Sequence, residues 1–385
     1  MSKLRILYLL VSALSIASCR KPYQPPVTTV NSNILVVEGL INLTDSTFIR
    51  LSRTVLLSDG VGSKEETGAT VSIETDGNEG YGLEEQKRGE YVLRALNLSS
   101  TSKYRLRIKT KDGSTYLSDF VEAKVTPVID SVGFEVRDKG LQVYTNAHDD
   151  QNKTVYYRWD YYETWQFRAL YKSDFISDGE EVMPRNYETD DIYTCWGESK
   201  SSTIVLGSSA KLAKDVIHQN PLTFLPSDSE KISIKYSTFV QQYALTKEAF
   251  AFWENLKKNT ENLGSIFDAQ PSQLTGNIHN VDKPEEPVIG YISAGTVTKK
   301  RVFIAKDNLP AWKTKYPYEC GPPDSVWISE PGTGRRLEDL FFDTFKSIPL
   351  TAFYKGGFLA GHLGASRECA DCTIRGTNKR PAFWQ

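Results

Sequence analysis

Between Ile34 and Val121 the chain breaks into short runs that are apolar at alternate positions and separated by turn residues. That pattern leaves few folds open. In Lys103–Lys109, Tyr104, Leu106 and Ile108 face one way while Arg105, Arg107 and Lys109 face the other. A period of two marks a strand with one face in a core and one in water. Ile34–Ile41, Ser46–Ser52, Ala69–Glu74, Gly89–Arg94 and Thr115–Val121 are the companion runs, and Asp112-Gly113 supplies a hairpin turn before the last. So many short strands predict an immunoglobulin-like β-sandwich over residues 34–126, closed by the punctuation of Thr126-Pro127.

Residues 127–385 read as a larger β-rich domain with one amphipathic helix, so the expected class is mainly β. Ser131–Val136, Leu141–Asn146, Val155–Arg168, Ile232–Val240, Pro287–Ser293 and Lys300–Ile304 are its strand candidates. The helix is placed at 247–263, with Thr246 as N-cap and Leu245 and Phe250 as a hydrophobic staple. Ala249, Phe250, Trp253, Leu256 and Leu263 form its apolar stripe, Glu254–Lys258 is an i,i+4 pair, and Gly264 ends it. Residues 171–200 read as an acidic solvated loop without the spacing of a calcium loop. The end, from Pro317, reads as loop-rich.

The chain holds 20 Tyr, 17 Phe and 7 Trp, and they concentrate in Val155–Arg168. One face of that run carries Tyr157, Trp159, Tyr161, Glu163, Trp165 and Phe167. Two readings compete. The face is a stacking platform for sugar rings with Glu163 as hydrogen-bonding partner, or it is a core strand with Glu163 at the rim. Clean alternation of this length favours the core strand.

The first nineteen residues form a lipoprotein signal. Lys3 and Arg5 make a basic head, Ile6 to Ile16 an apolar stretch too short to span a bilayer comfortably, and Ile16-Ala17-Ser18-Cys19 a lipobox. Residues 1–18 are expected to be removed by cleavage between Ser18 and Cys19, with membrane lipid joined to the Cys19 thiol. Residues 19–33 follow as a Pro-rich tether. Loss of Lys3 and Arg5 takes the formal net charge from −2 to −4, which argues against a nucleic-acid partner because no basic excess exists to displace counterions.

Besides Cys19 there are four cysteines, Cys195, Cys320, Cys369 and Cys372. In an exported chain an even number reads as two disulfides, with three pairings open. The rival is a zinc site on Cys369-Ala-Asp-Cys372, which supplies only half of a closed tetrahedral ligand set. His148, His218, His279 and His362 stand alone, and His279 reads as a turn residue. No nucleophile elbow, phosphate loop or zincin motif occurs, so no catalytic residue, metal or cofactor is assigned. Carboxylate pairs of a glycoside hydrolase converge only in three dimensions, and that class stays as the least favoured alternative.

Several stretches together resemble the Bacteroidota outer-membrane lipoproteins that carry domain of unknown function 4249. They are Leu35–Gly39, Ile49–Arg53, Gly68–Val71, Tyr156–Trp165, Tyr243–Ala249, Phe252–Lys257, Gly264–Gln273, Gly276–His279, Glu286–Tyr291, Cys369–Cys372 and Pro381–Trp384. The resemblance implies a non-enzymatic, lipid-anchored accessory or ligand-capturing partner of a TonB-dependent, SusC-like nutrient transporter. A glycan-binding module or adhesin using the aromatic strand face is the alternative, with a glycan or peptide as ligand. Surface-exposed lipoproteins of these bacteria commonly carry acidic residues after the lipidated cysteine. Arg20-Lys21-Pro22 stand there instead, which leaves the surface and periplasmic leaflets both open.

Overall fold

Alternation in the first third of the chain becomes a strongly curved sheet. The computed structural model describes residues 33–56, 63–261, 276–329, 341 and 347–385, and over them the protein is mainly β. Thr70–Thr75 pairs with Lys103–Lys109 on one side and Gly80–Lys87 on the other. Hydrogen bonding continues through Glu90–Leu93, Thr47–Arg53, Leu35–Asn42, Ala294–Gly295 and Val121–Lys124, which returns to Lys103–Lys109. The path closes on itself as a partial barrel, so the strands expected to form a two-sheet sandwich share one sheet. Asp112-Gly113 does make the predicted hairpin: Gly113 sits at φ 95°, and the Asp112 carboxylate accepts from the Thr110 hydroxyl and the Ser114 amide.

The expected boundary at residue 126 needs a correction. Ile278–Asn280, Val288–Ile289 and Ala294–Gly295 all pair with barrel strands. Their neighbours Ile278, Val288, Ile292 and Ala294 are buried in the same core as Leu35, Ile49, Ile73 and Leu106. The barrel is built from two separated stretches of chain; most of the sandwich is threaded between them, and its strand Val297–Ala305 follows the second.

That sandwich is the true two-layer element. One layer is Ile129–Arg137, Gly140–His148 and Val216–Pro226. The other is Thr194–Lys200, Tyr156–Arg168, Lys235–Ala244 and Val297–Ala305, with Val205–Ser208 also on the long strand. Leu141, Val143, Ile217 and Leu225 meet Tyr157, Trp159, Tyr161, Tyr236, Val240 and Ile304 between the layers. Helix Lys247–Glu261 begins where the alternation ends. The Thr246 hydroxyl accepts from the Ala249 amide as the predicted cap, and Glu254 pairs with Lys258 at 3.2 Å. Its buried residues are Ala249 and Phe252; Phe252 is absent from the predicted stripe, while Leu263 and Gly264 lie outside the described residues.

Beyond Pro317 the loop-rich expectation is also corrected. Asp324–Trp327, Phe358–Ala365 and Ile348–Lys355 form a three-stranded sheet, turning through Gly356-Gly357, both at positive φ. Ile192, Ile348, Leu350 and Ala370 form a small core beneath it. Residues 171–200 likewise hold a short hairpin, Phe175–Ser177 with Val182–Pro184, and the edge strand Thr194–Lys200.

Candidate functional site

The aromatic strand face is not a ligand platform. Tyr157, Trp159, Tyr161, Glu163 and Phe167 are buried and Trp165 is half-buried: most of this face of Tyr156–Arg168 is turned to the opposing sheet, and Phe167 packs against Ala169, Cys195 and Cys372. Even its polar tips are used inside: Trp159 Nε1 donates to Gln242 Oε1 at 2.8 Å, and the Tyr157 hydroxyl donates to the Asp215 carboxylate. Glu163 lies within the core, not at its rim. It accepts from Lys231 Nζ at 2.6 Å and from the Tyr236 hydroxyl at 2.9 Å. Burial, with the Glu163 carboxylate beside it, holds the Tyr236 phenol well above its ordinary pKa.

The cysteines form the two bonds Cys195–Cys372 and Cys320–Cys369. The two cysteines of the C-x-x-C therefore leave in different directions, and none of its thiolates is free for zinc. Among the described residues no group of three His, Cys, Asp or Glu side chains is placed to hold a metal. His279 lies in the short strand Ile278–Asn280, 3.7 Å from Asp119, rather than in a turn. Ser18 and Cys19 lie outside the described residues.

What sequence reading missed is a cleft of about 490 Å³ where barrel, sandwich and helix meet. That volume falls in the range of small-molecule sites, about 300–1,000 Å³. Lys103, Asp119–Glu122 and Lys124 come from the barrel, Lys153, Val155 and Tyr156 from the sandwich, and Leu245–Glu248 from the helix start. Asn277 and Tyr291 come from the returning stretch.

The walls are laced together by short polar contacts. Thr126 and Thr296, on the two crossings between barrel and sandwich, exchange hydrogen bonds: the Thr126 amide donates to Thr296 Oγ1 at 2.8 Å, and Thr126 Oγ1 donates to the Thr296 carbonyl. Ala244 N–H donates to Thr126 Oγ1, and Gln242 and Thr298 both donate to the Pro127 carbonyl. Asn277 mimics a strand partner, donating to the Ile292 carbonyl and accepting from the Ile292 amide. On the sandwich side Asp149 accepts from the amides of Gln151, Lys153 and Thr154, which fixes the loop that carries Lys153. Burial raises the Asp149 pKa, but these backbone donors outweigh it and the net shift is downward.

Three rings line the cleft, each braced by another side chain. Tyr156 packs on Phe250 at 4.9 Å, Tyr291 on Phe252 at 5.4 Å, and the Arg105 guanidinium covers Phe120 at 4.6 Å. Leu245 and Tyr291 also line a small recess holding Arg158. The Arg158 guanidinium lies 4.1 Å from the Trp253 ring and 4.5 Å from that of Tyr243, and its buried Nε has no hydrogen-bond partner.

A family profile described as "Domain of unknown function (DUF4249)" matches residues 20–301. The chain belongs to that family. The match ends inside the strand Val297–Ala305 and contains every residue lining the cleft, whereas the C-terminal sheet and the resemblance at Cys369–Trp384 lie beyond it. No curated protein matches the sequence. Among solved structures, "Chitinase ChiA74 from Bacillus thuringiensis" is 13% identical over 53% of this chain and 29% of its own, with a TM-score of 0.14. This chain thus spans less than a third of the chitinase. A structure described as "Complete structure of manganese lipoxygenase of Gaeumannomyces graminis and partial structure of zonadhesin of Komagataella pastoris" is 8% identical. It covers 56% of this chain and 90% of its own, with a TM-score of 0.15. Likenesses this faint carry no argument about fold or function.

Proposed function

We propose that this member of the DUF4249 family is a lipid-anchored outer-membrane lipoprotein that captures a ligand in the cleft for a TonB-dependent, SusC-like transporter. The observation that carries the reading is the ordered signal at the N-terminus: basic Lys3 and Arg5, the apolar Ile6 to Ile16, then Ala17-Ser18-Cys19. The cleft gives such a protein a place to hold cargo, and the reading assigns it no catalysis. Glu248 is the best-placed carboxylate at the helix start. Hydrogen bonds from its own backbone amide and from Thr246 hold it below the ordinary carboxylate range, opposite to what a general acid needs.

Native purification from detergent-solubilised outer membranes is expected to bring down a β-barrel transporter with this protein. Cys19→Ala is expected to leave a folded protein in the soluble fraction and to abolish its role in uptake. Recovery without any barrel partner, or uptake unaffected by Cys19→Ala, would refute the reading. Protease shaving of intact cells decides the leaflet, on which the basic Arg20-Lys21 bears.

A further inference from the structure

We propose that the cleft takes a short acidic oligosaccharide, one whose rings carry carboxylates; the inference rests on the capture reading above and names its cargo. Lys103, Lys153 and Lys247 reach the cleft from three different elements, and none of them forms an ion pair among the described residues. Each carboxylate on the same walls has a neighbour of its own and keeps acceptor capacity. Glu122 faces Lys124 at 3.8 Å, Asp119 faces His279 at 3.7 Å, and Glu248 is held by its own amide and Thr246, with the charges of Lys247 and Lys124 acting on it more weakly. With Lys124, the walls carry four lysines against three carboxylates, so cationic groups are in excess. Cations in a cleft with low-dielectric walls concentrate anions there, and the positive end of the dipole of helix Lys247–Glu261 adds to the field.

Charge alone would also suit an acidic peptide, and the remaining lining decides between them. Phe120, Tyr156 and Tyr291 offer braced aromatic surface, which sugar rings use through their C–H faces. Asp119, Glu122 and Glu248 repel a ligand made of carboxylates alone, but they accept hydrogen bonds from hydroxyl groups. A carboxylated sugar satisfies both: its hydroxyls donate to the acidic side chains while its carboxylates meet the lysines.

The test is isothermal titration of the detergent-solubilised full-length mature protein with tetragalacturonate and tetramannuronate, with maltotetraose and hexaglutamate as controls. An acidic tetrasaccharide is expected to bind, and to weaken as salt rises and the screening length falls from about 10 Å at 0.1 M to about 3 Å at 1 M. The triple variant Lys103→Gln, Lys153→Gln, Lys247→Gln is expected to bind at least about tenfold more weakly, since each exposed pair contributes up to about fivefold. The corresponding triple Lys→Arg variant is expected to keep most of the affinity, which separates charge from misfolding. Maltotetraose binding as tightly as the uronates, or an unchanged triple Gln variant, overturns the acidic class while leaving capture standing. Hexaglutamate binding without either uronate replaces the saccharide by a peptide. If nothing binds while the transporter still co-purifies, the inference falls and the partnership survives; if the transporter is lost as well, both fall.

Discussion

Truncating Glu163 to alanine separates a structural carboxylate from a ligand-binding one, and the structure sets the size of the effect. Tyr236 is fully buried, and its hydroxyl donates to Glu163 at 2.9 Å. Leaving a buried hydroxyl without an acceptor costs about 1–3 kcal/mol. The bond from Lys231 is charge-assisted and short, 2.6 Å, but the lysine side chain is 29% exposed and can turn to water. Its loss therefore sits near the low end of the range for such bonds, about 1 kcal/mol. The cavity beside Trp165 adds on the order of 1 kcal/mol more. Glu163→Ala is expected to destabilise the sandwich by about 3–5 kcal/mol. Glu163→Gln keeps an acceptor for Tyr236 and is expected to cost about 1–2 kcal/mol. Urea unfolding followed by tryptophan fluorescence reads this directly, since Trp159 and Trp165 both pack in this core. Saccharide affinity measured on the folded variants is expected to stay at the wild-type value. An alanine variant within about 0.5 kcal/mol of wild type, or a glutamine variant as damaged as the alanine one, would sink the argument.

Non-reducing peptide mapping is expected to recover Cys195 linked to Cys372 and Cys320 linked to Cys369. A Cys369–Cys372 loop or bound zinc contradicts the pairing, and Cys372→Ser is expected to lower stability by about 2–5 kcal/mol in a denaturant titration. His148 gives a pH signature. The hydrogen bond from its Nδ1 to the Asp130 carboxylate at 2.8 Å, with the charge of the same carboxylate, raises its pKa above the usual imidazole value. A raised folded-state pKa means that the contribution is complete below about pH 6.5 and is lost as pH rises through the shifted value. An NMR titration of the imidazole is expected to show the raised midpoint, and Asp130→Asn to return it towards 6.5; an unmoved midpoint in that variant excludes Asp130 as the cause.

Local pattern carried a good part of the fold. Lys103–Lys109 alternates cleanly because only its Tyr104, Leu106 and Ile108 face enters the core, and its predicted limits coincide with the observed strand. Gly80–Lys87 was not legible, because Tyr81 and Leu83 are its only apolar side chains among glycine, glutamine and charged residues, and most of the strand is exposed. Val216–Pro226 hides behind His218, Gln219, Asn220 and Pro221, where the pairing with Gly140–His148 slips register. The strands of the C-terminal sheet contain Pro349 and the glycine-rich run Phe358–Ala365, which weaken any periodic signal. Glu163 reads as polar in sequence, yet its partners Lys231 and Tyr236 lie about seventy residues away, so its burial could not be read locally. The cleft was illegible for the same reason. Its lysines and rings come from stretches with no shared motif, brought together when the chain returns to the barrel after residue 276.

That return has a bearing on the order in which the protein can be made. Val37, Ile41 and Leu43 share a core with Ile292 and Ala294, and Leu35–Asn42 has no parallel neighbour until Val288–Ile289 and Ala294–Gly295 arrive. A nascent chain that has delivered only its first two hundred and fifty residues thus carries a barrel with a gap in its wall and an unsatisfied strand edge. The sandwich can form in the meantime only in part, since its strand Val297–Ala305 also comes after the return. Both units therefore finish within a few residues of each other, at the Thr126–Thr296 junction. A chain halted before that point exposes two incomplete sheets at once, which makes the interval before residue 296 the one in which a chaperone has most to shield.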